Sequence, residues 1–125
     1  IAHVVTFTGR LEIAEMAQLY ASADLVLNPS RVDNTPNSIL EALACGVPVV
    51  STDVGGVPFL VEHHRNAWLV PPDDPQRMAA GLDRVLRDAP LRAQLRSAGR
   101  ELARACSWPE VKQQWLNTYR EVLEQ

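Results

Sequence analysis

Short runs of β-branched and apolar residues alternate with helical patterns between residues 3 and 70 of this chain. Four such runs are expected to be strands, at 3–8, 25–28, 47–52 and 66–70. The helical patterns that separate them lie at 12–23, 38–45 and 57–62. Strands that are joined through helices by short loops form a parallel sheet with helices on both faces. The sequence therefore predicts a doubly wound α/β fold.

From Asp73 onward the pattern contains helices only. Asp74 and Pro75 predict the start of a helix that ends at Asp88, because Asp caps a helix and Pro fits its first turn. A second helix is expected from Pro90, and Ser107 is expected to cap a third. The side chains on the apolar faces of these helices are Met78, Leu82, Val85, Leu86, Leu91, Leu95, Ala98, Leu102, Val111, Trp115, Tyr119 and Val122.

The composition is that of one globular domain spanning residues 1–125, with 46% hydrophobic and 22% charged residues. A net charge of −3 gives no general affinity for nucleic acid or an acidic membrane. Cys45 and Cys106 stand in apolar helical contexts without metal-ligand spacing, so both are expected to be reduced core residues. The chain has neither a signal-peptide pattern nor an apolar run of about 18 residues, which predicts a cytoplasmic protein.

One helix carries an arginine at every fourth position, on the side away from its leucines. Such a row can bind phosphate or lipid, but in a net acidic chain it predicts a solvated face. The residues concerned are Arg92, Arg96, Arg100 and Arg104.

The central helix, 38–45, is apolar or small at nearly every position except Glu41. Gly46 is expected to end this helix in a left-handed conformation. A helix that is apolar on all sides is normally buried, and a buried carboxylate needs a hydrogen-bond partner. One interpretation is a capping box with Ser38, in which each side chain satisfies the other residue's N–H. The alternative is that Glu41 faces a cleft beside the start of the helix and binds hydroxyl groups there.

Five short blocks follow one another in a fixed order, and the first of them ends at Glu41. Asp33 to Glu41 read DNTPNSILE, and ALACGVPVV and STDVGGVP follow, the last with two glycines that are free to take positive φ. VEHHRNAWLVPPDD and SWPEV come later in the chain. Together they resemble the C-terminal, nucleotide-binding domain of retaining GT-B glycosyltransferases of family 4, the glycosyl transferases group 1. These share a Glu-x7-Glu signature on a Rossmann-like half of the GT-B fold.

The resemblance implies roles for particular residues at the carboxyl ends of the strands. The helix acid, Glu41, would take the ribose hydroxyls of the donor, and the loop acid, Asp33, would sit by the donor sugar. The helix-start amides of Asn37, Ser38 and Ile39 would face the distal phosphate. Two further sets would line the donor site: Gly9, Arg10 and Leu11 beside the base, and Asn34, Thr35 and Pro36 between the two acids.

The reaction implied by the resemblance is transfer of a sugar from a nucleotide-diphosphate sugar with retention at the anomeric carbon. The leaving diphosphate would be stabilised by helix dipoles and basic side chains, so we expect neither a metal nor another cofactor. The acceptor, whether a sugar, a lipid-linked molecule or a polysaccharide, would bind an N-terminal domain. Because the chain begins with Ile-Ala-His, we expect that domain and a first βαβ segment to lie upstream, and the fragment alone to be inactive. With a lipid-linked or polysaccharide acceptor, the parent protein would contact the inner membrane surface peripherally.

Three features depart from the family pattern. Asp33 stands where Glu is usual, and Asn34 and Pro36 stand where glycines are frequent. The Arg and Lys pair that clamps the diphosphate in the family would belong to the βαβ segment expected upstream of residue 1. The histidines, His3, His63 and His64, match no acceptor-side position and are interpreted as surface or strand-edge residues. Two other functions remain open: a nucleotide-sugar epimerase of GT-B fold, and a non-catalytic α/β binding module.

Overall fold

The computed structural model describes residues 2–124 as three strands and six α-helices after a short 3₁₀ turn at Ala2–Val4. The elements are α1 (Ile13–Ser22), β1 (Val26–Asn28), α2 (Asn37–Ala44), β2 (Val49–Thr52), α3 (Val57–Leu60), β3 (Trp68–Val70), α4 (Pro75–Arg87), α5 (Ala89–Ala105) and α6 (Trp108–Leu123). The predicted helical C-terminal segment is therefore confirmed.

The three strands form one parallel sheet in the order β1-β2-β3. Val26 pairs with Val49 across the first ladder, and Val50 pairs with Trp68 across the second. Because the strands are parallel, their carboxyl ends meet at one edge of the sheet, where open α/β sheets bind ligands.

The central strand β2 is buried along its whole length and packs on both faces. Val49 joins a core cluster with Ile39 and Leu43 of α2, whereas Val50 joins a second cluster with Met78 of α4. Successive side chains of a strand point to opposite faces, so the two clusters lie on opposite sides of the sheet. The α/β fold with helices on both faces is confirmed.

Helix α5 packs closely against α2 and holds α2 on the sheet. Gly99 is buried, and a methyl group at this position would lie 2.6 Å from Cδ2 of Leu43. Leu95, one turn earlier, is fully buried. The all-helical segment thus supports the same helix that carries Glu41.

Most helix boundaries follow from local chemistry. The Asp74 side chain accepts a 2.9 Å hydrogen bond from the Arg77 N–H, as expected for a cap, and Asp88 caps α5 in the same way. Gly46 ends α2 with a φ of +72°, as predicted. Ser107 precedes α6 as expected, although its side chain makes no capping hydrogen bond.

The strand predicted at residues 3–8 is wrong. Residues 5–9 have no regular secondary structure, and Phe7 is 93% exposed. A strand requires a neighbour to accept its main-chain hydrogen bonds. Among residues 2–124 no strand pairs with this segment, and the sheet stops at β1.

Several residues expected in the core are exposed. Trp115 and Tyr119 of α6 are 54% and 57% exposed, and α6 has no buried residue among those described. Cys45 and Cys106 are free and exposed, not core residues as predicted. An apolar stripe predicts which side of a helix packs, but packing requires a partner surface.

The arginine row of α5 is only in part a solvated face. Arg92 and Arg96 are half-buried, and the Nη1 of Arg92 donates to the carbonyl oxygen of Leu86 near the end of α4. The guanidinium of Arg100 lies against Gly46, directly after α2. Positive charge is favourable at the C-terminal end of a helix, so these arginines stabilise the ends of two neighbouring helices.

Candidate functional site

A polar network joins the carboxyl ends of β1 and β2. The Asn28 amide donates to Oγ of Ser51 at 3.1 Å, and the Ser30 hydroxyl donates to Oδ1 of Asn28 at 2.8 Å. The Thr52 hydroxyl donates to the carbonyl oxygen of Ser30 at 2.5 Å. Ser51 and Thr52 are buried, so the network holds the start of the loop after β1 against a rigid strand. This network was not predicted, although the polar residues that end two apolar strands indicate it in the sequence.

Asp33 lies half-buried in this loop and is held at both its side chain and its main chain. Its carboxylate Oδ2 lies 3.2 Å from the Ser30 hydroxyl, whose single hydrogen is donated either to Asn28 or to this carboxylate, and its carbonyl oxygen accepts a 3.0 Å bond from the Gly56 N–H. The loop acid is therefore anchored to both neighbouring segments of the sheet edge.

The Gly55-Gly56 pair lies directly against the loop that carries Asp33. A methyl group on Gly55 would overlap the carbonyl oxygen of Asp33, and one on Gly56 would overlap that of Asn34. Gly55 has a φ of +52°, a conformation that favours glycine, whereas Gly56 has a φ of −84°. Positive φ thus occurs only at Gly55 of the two glycines. Gly56 has to be a glycine because a side chain there would overlap the backbone of Asn34.

Helix α2 begins at Asn37 with Pro36, which is buried, at its N-cap position. No side chain caps this end. The Ile39 N–H donates a 3.1 Å bond to the carbonyl oxygen of Pro36, so this amide is already engaged. The amides of Asn37 and Ser38 have no acceptor among residues 2–124 and are the donors available to a ligand at the helix start.

Glu41 projects from the outer side of α2. Its Oε2 accepts a 3.1 Å hydrogen bond from the Tyr20 hydroxyl. The capping box with Ser38 is wrong, because no side chain caps this helix, and the expected burial is wrong, because Glu41 is exposed. The apolar pattern was misleading here since Ala44 and Cys45, which are small, flank Glu41 on the exposed side of the helix.

A groove of about 400 Å³ lies between α1 and α2. Its lining residues are Leu11, Ile13, Met16, Ala17, Tyr20, Glu41, Ala44 and Cys45. Glu41 is the one carboxylate in this lining, and the other side chains are mostly apolar. A mostly apolar pocket of this size with a few polar groups is typical of a small-molecule site.

The Tyr20 hydroxyl stays protonated over the physiological range. Burial, followed by the hydrogen bond to Glu41 and the charge of that carboxylate, raises the pKa of Tyr20 to about 12. A protonated phenol is a donor, and its partner Glu41 is the acceptor. The pair is thus a fixed donor-acceptor contact across the groove.

The comparison with known proteins identifies the family. Residues 1–88, more than half of the chain, match the family model described as Glycosyl transferases group 1. The chain belongs to the group 1 glycosyl transferases. The D-inositol 3-phosphate glycosyltransferase of Jonesia denitrificans is 35% identical to it over 119 residues, which are 95% of this chain and 28% of that protein.

Two solved structures resemble this glycosyltransferase chain. Sucrose-phosphate synthase from Thermosynechococcus elongatus has a TM-score of 0.84 at 32% identity, covering 95% of this chain and 30% of that one. HepE of Anabaena, solved in complex with UDP-glucose, has a TM-score of 0.77 at 30% identity, covering 86% of this chain and 30% of that one. The chain spans less than a third of the length of these relatives. The fold matches the C-terminal domain of GT-B glycosyltransferases.

The structure brings some of the predicted donor-site residues of this glycosyltransferase chain together. Leu11 and Glu41 line the same groove, while Gly9 and Arg10 are exposed just before it. Asp33 belongs to the network at the sheet edge, and no hydrogen bond among residues 2–124 joins it to Glu41. The intervening residues Asn34 and Thr35 are exposed.

The histidines of this glycosyltransferase chain lie at its surface. Nδ1 of His63 accepts a 2.9 Å bond from the Leu69 N–H on the outer edge of β3, which confirms the strand-edge interpretation. Burial and the adjacent charge of His64 lower the pKa of the His63 ring. Within residues 2–124 no three acid, cysteine or histidine side chains cluster as a metal site requires. No helix in that range has the length and apolarity needed to cross a membrane.

Proposed function

We propose that this chain is the donor-binding part of a longer, family 4 glycosyltransferase of GT-B fold. The full-length protein would transfer a sugar from a nucleotide-diphosphate sugar to an acceptor with retention of anomeric configuration. The observation that carries this proposal is Glu41, a carboxylate that lies in an apolar groove and is held there by a hydrogen bond from Tyr20.

Glu41 would bind the ribose of the donor. Its Oε1 has no hydrogen-bond partner among residues 2–124, and Oε2 accepts one bond from Tyr20. An ionised carboxylate has about four acceptor sites, enough for both hydroxyl hydrogens of a cis-diol besides the Tyr20 bond. Leu11, on the same groove, would lie beside the base.

Asp33 would lie beside the donor sugar. As the bond to the leaving diphosphate breaks, positive charge develops on the sugar ring, and a nearby carboxylate stabilises it. The bond from the Gly56 N–H supports this role because it fixes the main chain of the acid, and the Ser30 hydroxyl lies 3.2 Å from its carboxylate. Asp33 is shorter by one methylene than the usual Glu, which would alter the choice of sugar.

The diphosphate would bind at the start of α2. The free amides of Asn37 and Ser38 and the positive end of the helix dipole favour an anion there. We expect transfer without a bound metal, so the initial rate in excess EDTA should equal the rate without it. A rate restored only by added divalent cation would contradict this part of the proposal.

The solved complex of HepE with UDP-glucose makes uridine nucleotides the first donors to test. The name of the Jonesia relative suggests inositol 3-phosphate as one acceptor, beside sugars, lipid-linked molecules and polysaccharides. We expect the full-length protein in the cytoplasm with a peripheral contact to the inner membrane surface, which cell fractionation with a salt wash tests.

The decisive experiment uses the full-length protein with a panel of nucleotide-diphosphate sugars and acceptors. NMR of the product gives the anomeric configuration, and retention is expected. Incubation with donor alone distinguishes the epimerase alternative, because an epimerase would convert or release the donor sugar without an acceptor. If no nucleotide binds and no sugar is transferred, the non-catalytic binding module is the better description.

A further inference from the structure

Tyr20 and Glu41 lie on different helices, 21 positions apart in the chain, and meet through one hydrogen bond. The phenol oxygen is 3.1 Å from Oε2 of Glu41 and 3.4 Å from the carbonyl oxygen of Ser38. A phenol has a single hydrogen, so the shorter contact to the charged acceptor is the stronger one. This contact is the side-chain bond that holds the Glu41 carboxylate.

We propose that Tyr20 is a positioning residue that fixes the Glu41 carboxylate for ribose binding; the inference rests on the proposed function of Glu41. Tyr20 acts through Glu41 and needs no contact with the ligand for this role.

The Tyr20 ring is a firm support for such a contact. It packs against the core cluster that contains Ile39 and Leu43, the inner residues of α2. Tyrosine has two side-chain torsions, whereas Glu41 is exposed and has three. Without Tyr20 the carboxylate would sample several rotamers, and ligand binding would have to order it.

Loss of the Tyr20 hydroxyl would therefore affect ribose recognition specifically. The affinity for a ribonucleotide would fall, whereas the affinity for the matching deoxyribonucleotide, which lacks a hydroxyl for Glu41, would change less. In turnover the donor KM would rise with kcat little changed, because the interaction is made equally in the ground and transition states.

The test uses the full-length protein and measures binding of UDP, GDP and ADP and of their 2′-deoxy counterparts by calorimetry. The variants are Tyr20→Phe, Glu41→Gln and the double variant. Tyr119→Phe is the matched control, since Tyr119 is the other tyrosine and is exposed on α6. Circular dichroism shows that each variant is folded, and phenylalanine preserves the packing of the ring.

We expect Tyr20→Phe to weaken ribonucleotide binding by up to about tenfold, because binding would then have to order the freed Glu41 side chain. The ribose-to-deoxyribose preference should fall with it, and Tyr119→Phe should change neither. In the Glu41→Gln background the Tyr20 substitution should add little, because its effect passes through the carboxylate.

Two results distinguish a wrong role for Tyr20 from a wrong proposed function. If Glu41→Gln abolishes the ribose preference while Tyr20→Phe leaves it intact, the role of Tyr20 is overturned and the proposed function stands. If Glu41→Gln also preserves that preference, or if none of the three nucleotides binds, the proposed function is overturned and this inference falls with it.

Discussion

The main-chain N–H of Gly56 donates a 3.0 Å hydrogen bond to the carbonyl oxygen of Asp33, so the glycine pair after β2 fixes the loop after β1. The two backbones are so close that neither Gly55 nor Gly56 has room for a methyl group. The geometry of the proposed sugar-facing acid thus depends on residues that carry no chemistry of their own.

Gly56→Ala is expected to move this loop and weaken donor binding. The new methyl would meet backbone atoms, which cannot rotate away as a side chain does, so unfolding should become easier by about 2 kcal/mol. The free energy of unfolding in urea and the nucleotide Kd measure the two effects. Gly81→Ala is the matched control, because its methyl would meet the Trp68 side chain on the face of the sheet opposite α2. An unchanged Kd in Gly56→Ala would contradict the prediction.

Glu41→Gln is expected to lower kcat/KM of the full-length enzyme by about tenfold to a hundredfold, since hydrogen bonds to a charged acceptor are lost. The fold should be unaffected, because the side chain is exposed and the two residues have the same shape. Steady-state kinetics with the donor measure the effect. Glu121→Gln on α6 is a control of equal charge change, and normal turnover in Glu41→Gln would refute the ribose role.

The raised pKa of Tyr20 predicts a distinct alkaline titration. In residues 1–125 carrying Tyr119→Phe, a segment in which Tyr20 is the remaining tyrosine, the phenol should ionise at about pH 12 and not near its ordinary value of 10.0. Adding Glu41→Gln should lower this pKa, since a hydrogen bond and a negative charge are removed. Ultraviolet absorbance of the phenolate follows the titration, and an unchanged midpoint would contradict the contact.

The raised pKa of Tyr20 also makes the free energy of unfolding depend on pH. The folded state favours the protonated phenol, so its contribution is fully present below pH 10, the unfolded value, and is lost as pH rises through about 12. The free energies of unfolding in urea of Tyr119→Phe and of the double variant Tyr119→Phe/Tyr20→Phe should therefore approach each other as the pH rises toward 12.

The alternation of apolar runs and helices was sufficient to predict the parallel sheet, because period and turn residues are local properties. Residues 3–8 show where this reasoning stops. Their β-branched composition is that of a strand, but strand formation depends on a neighbouring strand that the sequence of the segment does not specify.

The contacts of the candidate residues could not be predicted from the sequence. Motif spacing indicated Asp33 and Glu41, but the hydrogen-bond partner of Glu41 could not be read from its surroundings in the chain. The plausible local partner was Ser38, three residues away, whereas the observed one is Tyr20 on another helix. Contacts between distant segments are set by tertiary packing, which a pattern of local residues does not contain.

Arg100→Ala is expected to destabilise residues 1–125 by about 1 kcal/mol, because the guanidinium lies against Gly46 at the negative end of α2. Lys112→Ala, an exposed position of α6 away from the C-terminal end of a helix, should change the free energy of unfolding by less than about 0.5 kcal/mol. Urea titrations at low and high salt measure both. Equal effects of the two substitutions would show that Arg100 does not stabilise the end of α2.

Asp33→Asn separates the roles of the two acids in the full-length enzyme. Because we propose that Asp33 lies beside the sugar and Glu41 beside the ribose, Asp33→Asn should reduce transfer of the sugar while leaving the Kd for the nucleoside diphosphate near that of the unmodified protein. Asparagine keeps an oxygen to accept the Ser30 bond, so the loop should hold its position. Asp24→Asn, at an exposed position before β1, is the control. If Asp33→Asn weakened nucleoside diphosphate binding as strongly as Glu41→Gln does, the assignment of Asp33 to the sugar would be wrong.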